Sequence, residues 1–267
     1  MKETIKHACG SIAAHLFAGS KRACEGDNDM PSGRFGNMIS AALIRNAASK
    51  GDHAALRSHL TRYWQGDQGD AFYRNYADRF DRWFLGEHYP LIEELKELVS
   101  SSPDKFHQVF EMGCGDGQVL NHLSETLSGI TDFVGLDINQ GIIQRNRSFY
   151  DSPRLRFESG DAGEWITNHA QSGTILMSYG GVMEYFTEEE LLTMFQNLRD
   201  HSPVAIALVE PLYDNYDLAT ETDSRPCGAE NSFTHNHRHL LEKAGYTLRF
   251  EREPEMEFRW MMILAEG

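Results

Sequence analysis

The chain has 267 residues, with 25 Lys and Arg against 40 Asp and Glu, so its formal net charge is −15. That length, at 40% hydrophobic composition, suits one large domain or a core with an extension. The acidity argues against nucleic acid or an anionic membrane as partner, since both need a basic face. No apolar run approaches the roughly 18 to 20 residues of a spanning helix. The opening stretch is broken by Lys6, His7, Ser11 and His15 and does not read as a signal peptide. Cys9, Cys24, Cys114 and Cys227 form no C-x-x-C pair, so reduced thiols in a cytoplasmic protein are expected.

Residues 1–102 read as helical segments between polar breaks. Thr4 to Ala18 carries Ile5, Ala8, Ile12, Leu16 and Phe17 at helical spacing. Gly19 to Gly36 is rich in Gly, Asp and Asn and reads as a loop. Asn37 to Ser49 predicts a second helix. Asp52 can cap a third, with Ala55, Leu56, Leu60, Tyr63 and Trp64 on its apolar face. After a break at Gly66 to Gly69, Asp70 can cap a fourth helix holding Phe72, Tyr73, Tyr76, Phe80, Trp83 and Phe84. Pro90 suits the first turn of a fifth, Leu91 to Val99.

Residues 103–267 alternate short apolar runs with helical patterns. Strands are predicted at 108–112, 133–137, 155–159, 174–178 and 204–209, with helices at 118–127, 140–150, 162–170 and 188–199 between them. A helix from Asn236 to Ala244, stopped by Gly245, precedes two more strands, 246–251 and 258–264. The alternation implies an α/β fold: a mainly parallel sheet with helices on both faces and an antiparallel member at the end.

The segment Glu111-Met112-Gly113-Cys114-Gly115-Asp116-Gly117 lies between the first of these strands and its helix. Three alternate glycines let the backbone bend sharply and a ligand approach closely. The dinucleotide fingerprint G-x-G-x-x-G fails, because Gln118 stands where its third glycine belongs. Asp137 ends the next strand, where a carboxylate can accept hydrogen bonds from ribose hydroxyls. Asp161, in Gly160-Asp161-Ala162 after the third, can accept from an adenine amino group or cap the following helix. Ser178-Tyr179-Gly180-Gly181 follows the fourth strand, and its backbone can approach a ligand. All of these lie at the carboxyl ends of strands, where open α/β sheets bind ligands.

On these motifs, residues 104 to 267 resemble the class I S-adenosylmethionine-dependent methyltransferases. The resemblance implies a Rossmann-like seven-stranded sheet, here with an N-terminal helical cap. It implies S-adenosylmethionine as cofactor, left as S-adenosylhomocysteine after transfer. Carried over are Glu111, Gly113, Gly115 and Gly117, then Asp137 with Ile138, then Asp161 and Ala162, then Ser178 and Tyr179. Glu111 departs from the family, which more often has Asp there. Tyr73 and Tyr76 either reach the cofactor from a lid helix, as in related enzymes, or belong to an apolar stripe.

The resemblance leaves the acceptor and its machinery open. His235 and His237, in Thr234 to His239, are candidates for a base. Surface or capping roles compete with that, and the spacing is weak for a metal, so none is expected. Glu184 and Tyr185 can face the acceptor, and Glu184 can equally be a solvated acid. His88, ahead of Tyr89-Pro90, lies in a loop that can approach the site. The leading expectation is methyl transfer to O or N of a small molecule, with no nucleic acid, no membrane, and a homodimer left open. A protein or peptide methyltransferase and a non-catalytic cofactor-binding regulator are the alternatives.

Overall fold

A computed structural model describes residues 33–65, 79–228 and 230–267. Helices α1 (Gly33–Lys50) and α2 (His53–Gln65) come first. Asp52 caps α2, its Oδ1 accepting the Ala55 N–H at 3.0 Å. A π-helix, Phe80–Glu87, closes where the His88 N–H donates to the Trp83 carbonyl at 2.8 Å. Then α3 (Tyr89–Ser101) begins, with Pro90 in its first turn. The helix expected at Thr4–Ala18, the break at Gly66–Gly69 and the Asp70 cap lie outside the described residues. Gly33 and Gly36, expected in a loop, lie inside α1. The first turn of a helix has unpartnered N–H groups in any case, so glycines there give up little.

The core follows as β1 (Gln108–Met112), α4 (Gln118–Thr126), β2 (Asp132–Asp137), α5 (Gln140–Phe149), β3 (Leu155–Ser159), α6 (Ala162–His169) and β4 (Thr174–Tyr179). A short 3₁₀ turn, Met183–Tyr185, leads into α7 (Glu188–Arg199), which Thr187 and Glu190 start with a capping box, and then β5 (Ala205–Pro211). A hairpin of β6 (Arg225–Cys227) and β7 (Ser232–Thr234) precedes α8 (His237–Lys243), β8 (Thr247–Arg252) and β9 (Trp260–Glu266). The hairpin was not expected. Its strands have three residues each, too few to show a period.

Seven strands form one sheet in the order β3-β2-β1-β4-β5-β9-β8. The first five are parallel, and β9 runs antiparallel to both β5 and β8. Successive side chains of β4 and β5 bury on opposite faces. Ile175, Met177, Ala205, Ala207 and Val209 pack with α3 and α4, while Leu176, Ile206 and Leu208 pack with α6, α7 and α8. Covered on both faces, these strands are apolar runs without alternation. Leu91, Ile92, Leu95 and Val99 make α3 a layer of this sheet.

Helices α1 and α2 sit elsewhere, over the hairpin. Ile44, Ala47, Leu56 and Leu60 cluster with Phe233 of β7. Arg57 of α2 lies over the Phe186 ring, 4.1 Å from its centroid, and reaches Asp161 at 3.6 Å and Glu190 at 3.4 Å. Among the described residues no helix is long and apolar enough to cross a membrane.

If α3 is a layer of the core, Leu95→Ala leaves a cavity there and lowers unfolding free energy by about 2–5 kcal/mol. Leu85→Ala, on an exposed side chain, changes it by less than about 0.5 kcal/mol. Urea denaturation of the two variants tests this.

Candidate active site

The chain runs β1 to β3 outward in one direction, then crosses back to place β4 on the other side of β1. Open α/β sheets bind ligands at such a switch point, outside the carboxyl ends of the strands. A cleft of about 1110 Å³ lies there. Its floor includes Met112 and Gly113 at the end of β1, Asp137 and Ile138 at the end of β2, Gly160 after β3, Gly180 after β4 and Pro211 at the end of β5. Trp64 of α2, Trp83 of the π-helix, residues 255–259 of the link between β8 and β9, and Trp260 at the start of β9 wall it. The extra residue per turn of the π-helix helps bring Arg82, Trp83 and Glu87 to the same cleft.

The glycine turn is built as the spacing required. Gly113, Gly115 and Gly117 have φ of +69°, +51° and +77°, the left-handed region that favours glycine. At Gly117 a Cβ would come within 2.8 Å of Tyr150 and 2.9 Å of Phe157. Asn146 and Tyr150, from α5 and its end, donate to the Gly115 and Asp116 carbonyls at 2.7 and 3.0 Å. The Gly115 N–H donates to Asp137 Oδ2 at 3.0 Å, and the Asn139 N–H to Oδ1 at 2.8 Å. Burial raises the Asp137 carboxyl above its usual range, opposed by those two N–H donors.

Of the residues expected at the cofactor, Gly113, Asp137, Ile138, Ala162 and Tyr179 line the cleft. Tyr73 and Tyr76 lie outside the described residues. Glu111, Gly115, Asp161 and Ser178 are placed otherwise. Glu111 is 2% exposed behind the turn, where the Leu120 N–H donates to it, and burial first, then Asp116, raises its carboxyl well above the usual range. Gly115 acts through its N–H on Asp137. Asp161 caps α6, accepting the Glu164 N–H at 3.1 Å. The Ser178 hydroxyl is fully buried and donates to Glu210 at 2.5 Å.

Glu210 organises the loop after β4. The Val182 and Met183 N–H groups donate to it at 3.4 and 3.0 Å. It is fully buried, and burial pushes its carboxyl up to about 7 despite these donors. The 3₁₀ turn so anchored carries Glu184 and Tyr185, and both line the cleft. Glu184 is raised to about 8, first by burial, with the charges of Glu210 and Glu230 adding, while a hydrogen bond from Ser232 opposes.

The histidines lie away from this cleft. His235 and His237 are 1% and 3% exposed and are not among its lining residues. His235 Nδ1 is 2.7 Å from Ser224 Oγ, and the two rings are 5.4 Å apart. Burial lowers both, His235 to about 3, so they are neutral near pH 7. Between them Asn236 caps α8 and donates to the Leu218 and Glu221 carbonyls. The acceptor-side position expected for the pair is therefore corrected: they pack the junction of hairpin and helix. His88, also 1% exposed, sits beneath the cleft, Nδ1 3.3 Å from the Tyr179 hydroxyl and its ring 5.4 Å from Trp260.

Sequence reasoning missed Arg79, Tyr63, Trp64, Tyr213 and Glu230 as lining residues. Arg79 pairs with Asp116 at 3.5 Å across the glycine turn. The apolar face drawn for α2 did include Tyr63 and Trp64, but no local pattern separates a cleft-facing aromatic from a packed one. Among the described residues no group of three or more His, Cys, Asp or Glu could hold a metal ion.

Residues 109–202 match the family model described as "Methyltransferase domain". No curated protein matches the chain. Solved structures match through their fold. Magnesium protoporphyrin IX methyltransferase from Synechocystis PCC 6803, with bound SAH, is 14% identical with a TM-score of 0.55, covering 78% of this chain and 97% of that one. A SAM-dependent methyltransferase from Leishmania major is 12% identical with a TM-score of 0.54, covering 78% and 82%. The complex between the Haloferax volcanii Trm112 methyltransferase activator and its methyltransferase gives 15%, a TM-score of 0.52, and 73% and 95%. The core thus has the class I S-adenosylmethionine-dependent methyltransferase fold.

Burial lowers the His88 imidazole to about 4, against 6.5 when free. The unfolded chain therefore binds the proton first as pH falls, and stability is lost from about pH 6.5 down to about 4, by at most about 1.4 kcal/mol per pH unit. His88→Phe removes that part of the slope, measured as denaturation midpoints across pH 4 to 7.5.

Proposed function

We propose that this chain binds S-adenosylmethionine in the half of the cleft over β1 and β2 and methylates an O or N atom of a small molecule held in the other half. When bound, the cofactor supplies a methyl group on an electrophilic sulfonium. One observation carries the reading: the Asp137 carboxylate stands at the cleft, beside a glycine turn whose three glycines are all in the left-handed region. Its backbone N–H donors, Gly115 and Asn139 with a smaller contribution from Ile138, leave a lone pair free for a ribose hydroxyl. The cleft, at about 1110 Å³, exceeds the usual range of a single small-molecule pocket and has room for a cofactor and an acceptor together.

In this reading Gly113 lets the ligand lie against the backbone, and Ile138 and Ala162 give apolar contact to a base. Asp161 keeps its place as the cap of α6. Arg79, lining the cleft and paired to Asp116, is placed to meet a ligand carboxylate. The chain's own contribution to rate is chiefly alignment and exclusion of water. The N-terminal stretch to residue 102 serves as the cap, with α2 and the π-helix walling the cleft and α3 seated on the sheet. The acceptor half is lined by Glu184, Tyr185 and aromatic rings, which suits a small molecule. The net charge of −15 disfavours nucleic acid there.

Isothermal titration calorimetry with S-adenosylhomocysteine tests this. Wild type binds, and Asp137→Ala, with an unchanged circular dichroism spectrum, binds about 10- to 100-fold more weakly, the usual worth of hydrogen bonds to a charged group. No binding by wild type, or equal binding by the variant, overturns the reading.

A further inference from the structure

The acceptor half of the cleft holds two carboxylates, Glu184 and Glu230, among four aromatic rings, those of Tyr63, Trp64, Tyr185 and Tyr213. The cluster is built from separate elements. Trp64 of α2 lies 5.3 Å from the Tyr185 ring and 5.6 Å from Tyr63. The Tyr185 hydroxyl donates to Glu230 Oε2 at 3.4 Å. The Ser232 hydroxyl of β7 donates to Glu184 Oε2 at 2.5 Å and lies 3.3 Å from the Tyr213 hydroxyl.

The charges around this cluster do not balance. On the same cleft, Arg57, Arg79 and Arg259 are each paired to a carboxylate, and the fourth arginine, Arg82, stands on the π-helix with no ion pair to either acid of the cluster. Among the described residues, no basic side chain lies within ion-pair distance of Glu184 or Glu230. Two acids facing one cavity repel each other, and the aromatic faces beside them carry negative potential. A cation bound there gains from both, by ion pairing and by cation–π attraction. An anion or a neutral hydroxyl gains from neither.

We infer that the methyl acceptor is an amine, entering as an ammonium held by Glu184 and Glu230 inside the ring of Tyr63, Trp64, Tyr185 and Tyr213. The inference rests on the proposed methyltransferase reading and narrows its acceptor from O or N to N. The ammonium gives one proton to the Glu184 carboxylate. The freed nitrogen lone pair then forms the N–CH₃ bond as the S–CH₃ bond breaks, and the bonding pair stays on sulfur as a neutral thioether. The product is a methylated ammonium, and the proton on Glu184 passes to solvent. Glu184, raised to about 8 in the free protein, holds its proton at pH 7 and ionises as the ammonium binds beside it, because an adjacent positive charge favours the carboxylate; its proton exchange with the amine then falls near neutral pH.

The test titrates the full chain, with and without saturating S-adenosylhomocysteine, against three probes of one size: phenethylamine, 2-phenylethanol and phenylacetate. Phenethylamine is expected to bind at least about tenfold more tightly than either of the others, a preference of the size charged pairs give. Glu230→Gln and Glu184→Gln each reduce that preference by at least about fivefold and leave S-adenosylhomocysteine affinity unchanged. Labelled methyl is expected on the nitrogen of phenethylamine, with a slower rate in Glu184→Gln. Equal or tighter binding of the alcohol or the carboxylate overturns the inference, and so does a preference that survives both substitutions. Failure of S-adenosylhomocysteine to bind strikes the methyltransferase reading instead, and the amine preference of the free protein is read independently of it.

Discussion

The structure depends on one backbone constraint, the reversal of the chain at the carboxyl end of β1. Strand β1 is central, paired with β2 on one side and β4 on the other. The chain leaving it must turn at once into α4 without crossing either neighbour. Three residues in the left-handed region accomplish this, and side chains would strain all three. The turn then becomes the reference for its surroundings. Asp137 takes the Gly115 N–H, Asn146 takes the Gly115 carbonyl, and Glu111 takes a helix N–H from behind. Each of these polar contacts is buried or nearly so, and each satisfies a group that would otherwise be costly.

A second buried carboxylate does the same for the other half of the cleft. Glu210, at the end of β5, gathers the Ser178 hydroxyl and the N–H groups that open the turn at Met183. It thereby sets Glu184 and Tyr185 at the rim. The two halves are thus governed by acids at the ends of different strands, and the cleft between them is a consequence of sheet order rather than of any one loop. Helices α1 and α2 are held to this frame by their packing on Phe233 and by Arg57 on Phe186, Asp161 and Glu190.

Much of the core was legible because its signals are local. Five apolar runs between helical patterns became five parallel strands, and β1, β3 and α7 fall on the residues the pattern predicts. Alternate glycines between a strand and a helix allow few backbone paths. The hairpin was not legible, since three-residue strands containing Pro226 and Cys227 leave no alternation to read. Glu111 and Ser178 read as ligand-facing residues, yet their partners are an N–H group and a carboxylate of the protein itself, while Asp161 takes the second of its two readings, the helix cap. A side chain at a strand end can point into the cleft or back into the fold, and the one-dimensional pattern does not distinguish the two.

The histidines and aromatics show the same divide. His235 and His237 look like chemistry because their residue type can take up a proton near neutral pH, but burial holds both rings neutral beneath the hairpin. Tyr63, Trp64, Tyr213 and Glu230 carry no motif, and they meet only because α2, the loop after β5 and the hairpin converge. The sequence by itself determined the α/β core, the glycine turn and the acid at the end of β2, since strand periodicity and left-handed glycine geometry are properties of neighbouring residues. The tertiary structure decided which side chains face the cleft and which carboxylates lack a counter-charge, because burial and charge balance depend on residues that only folding brings together.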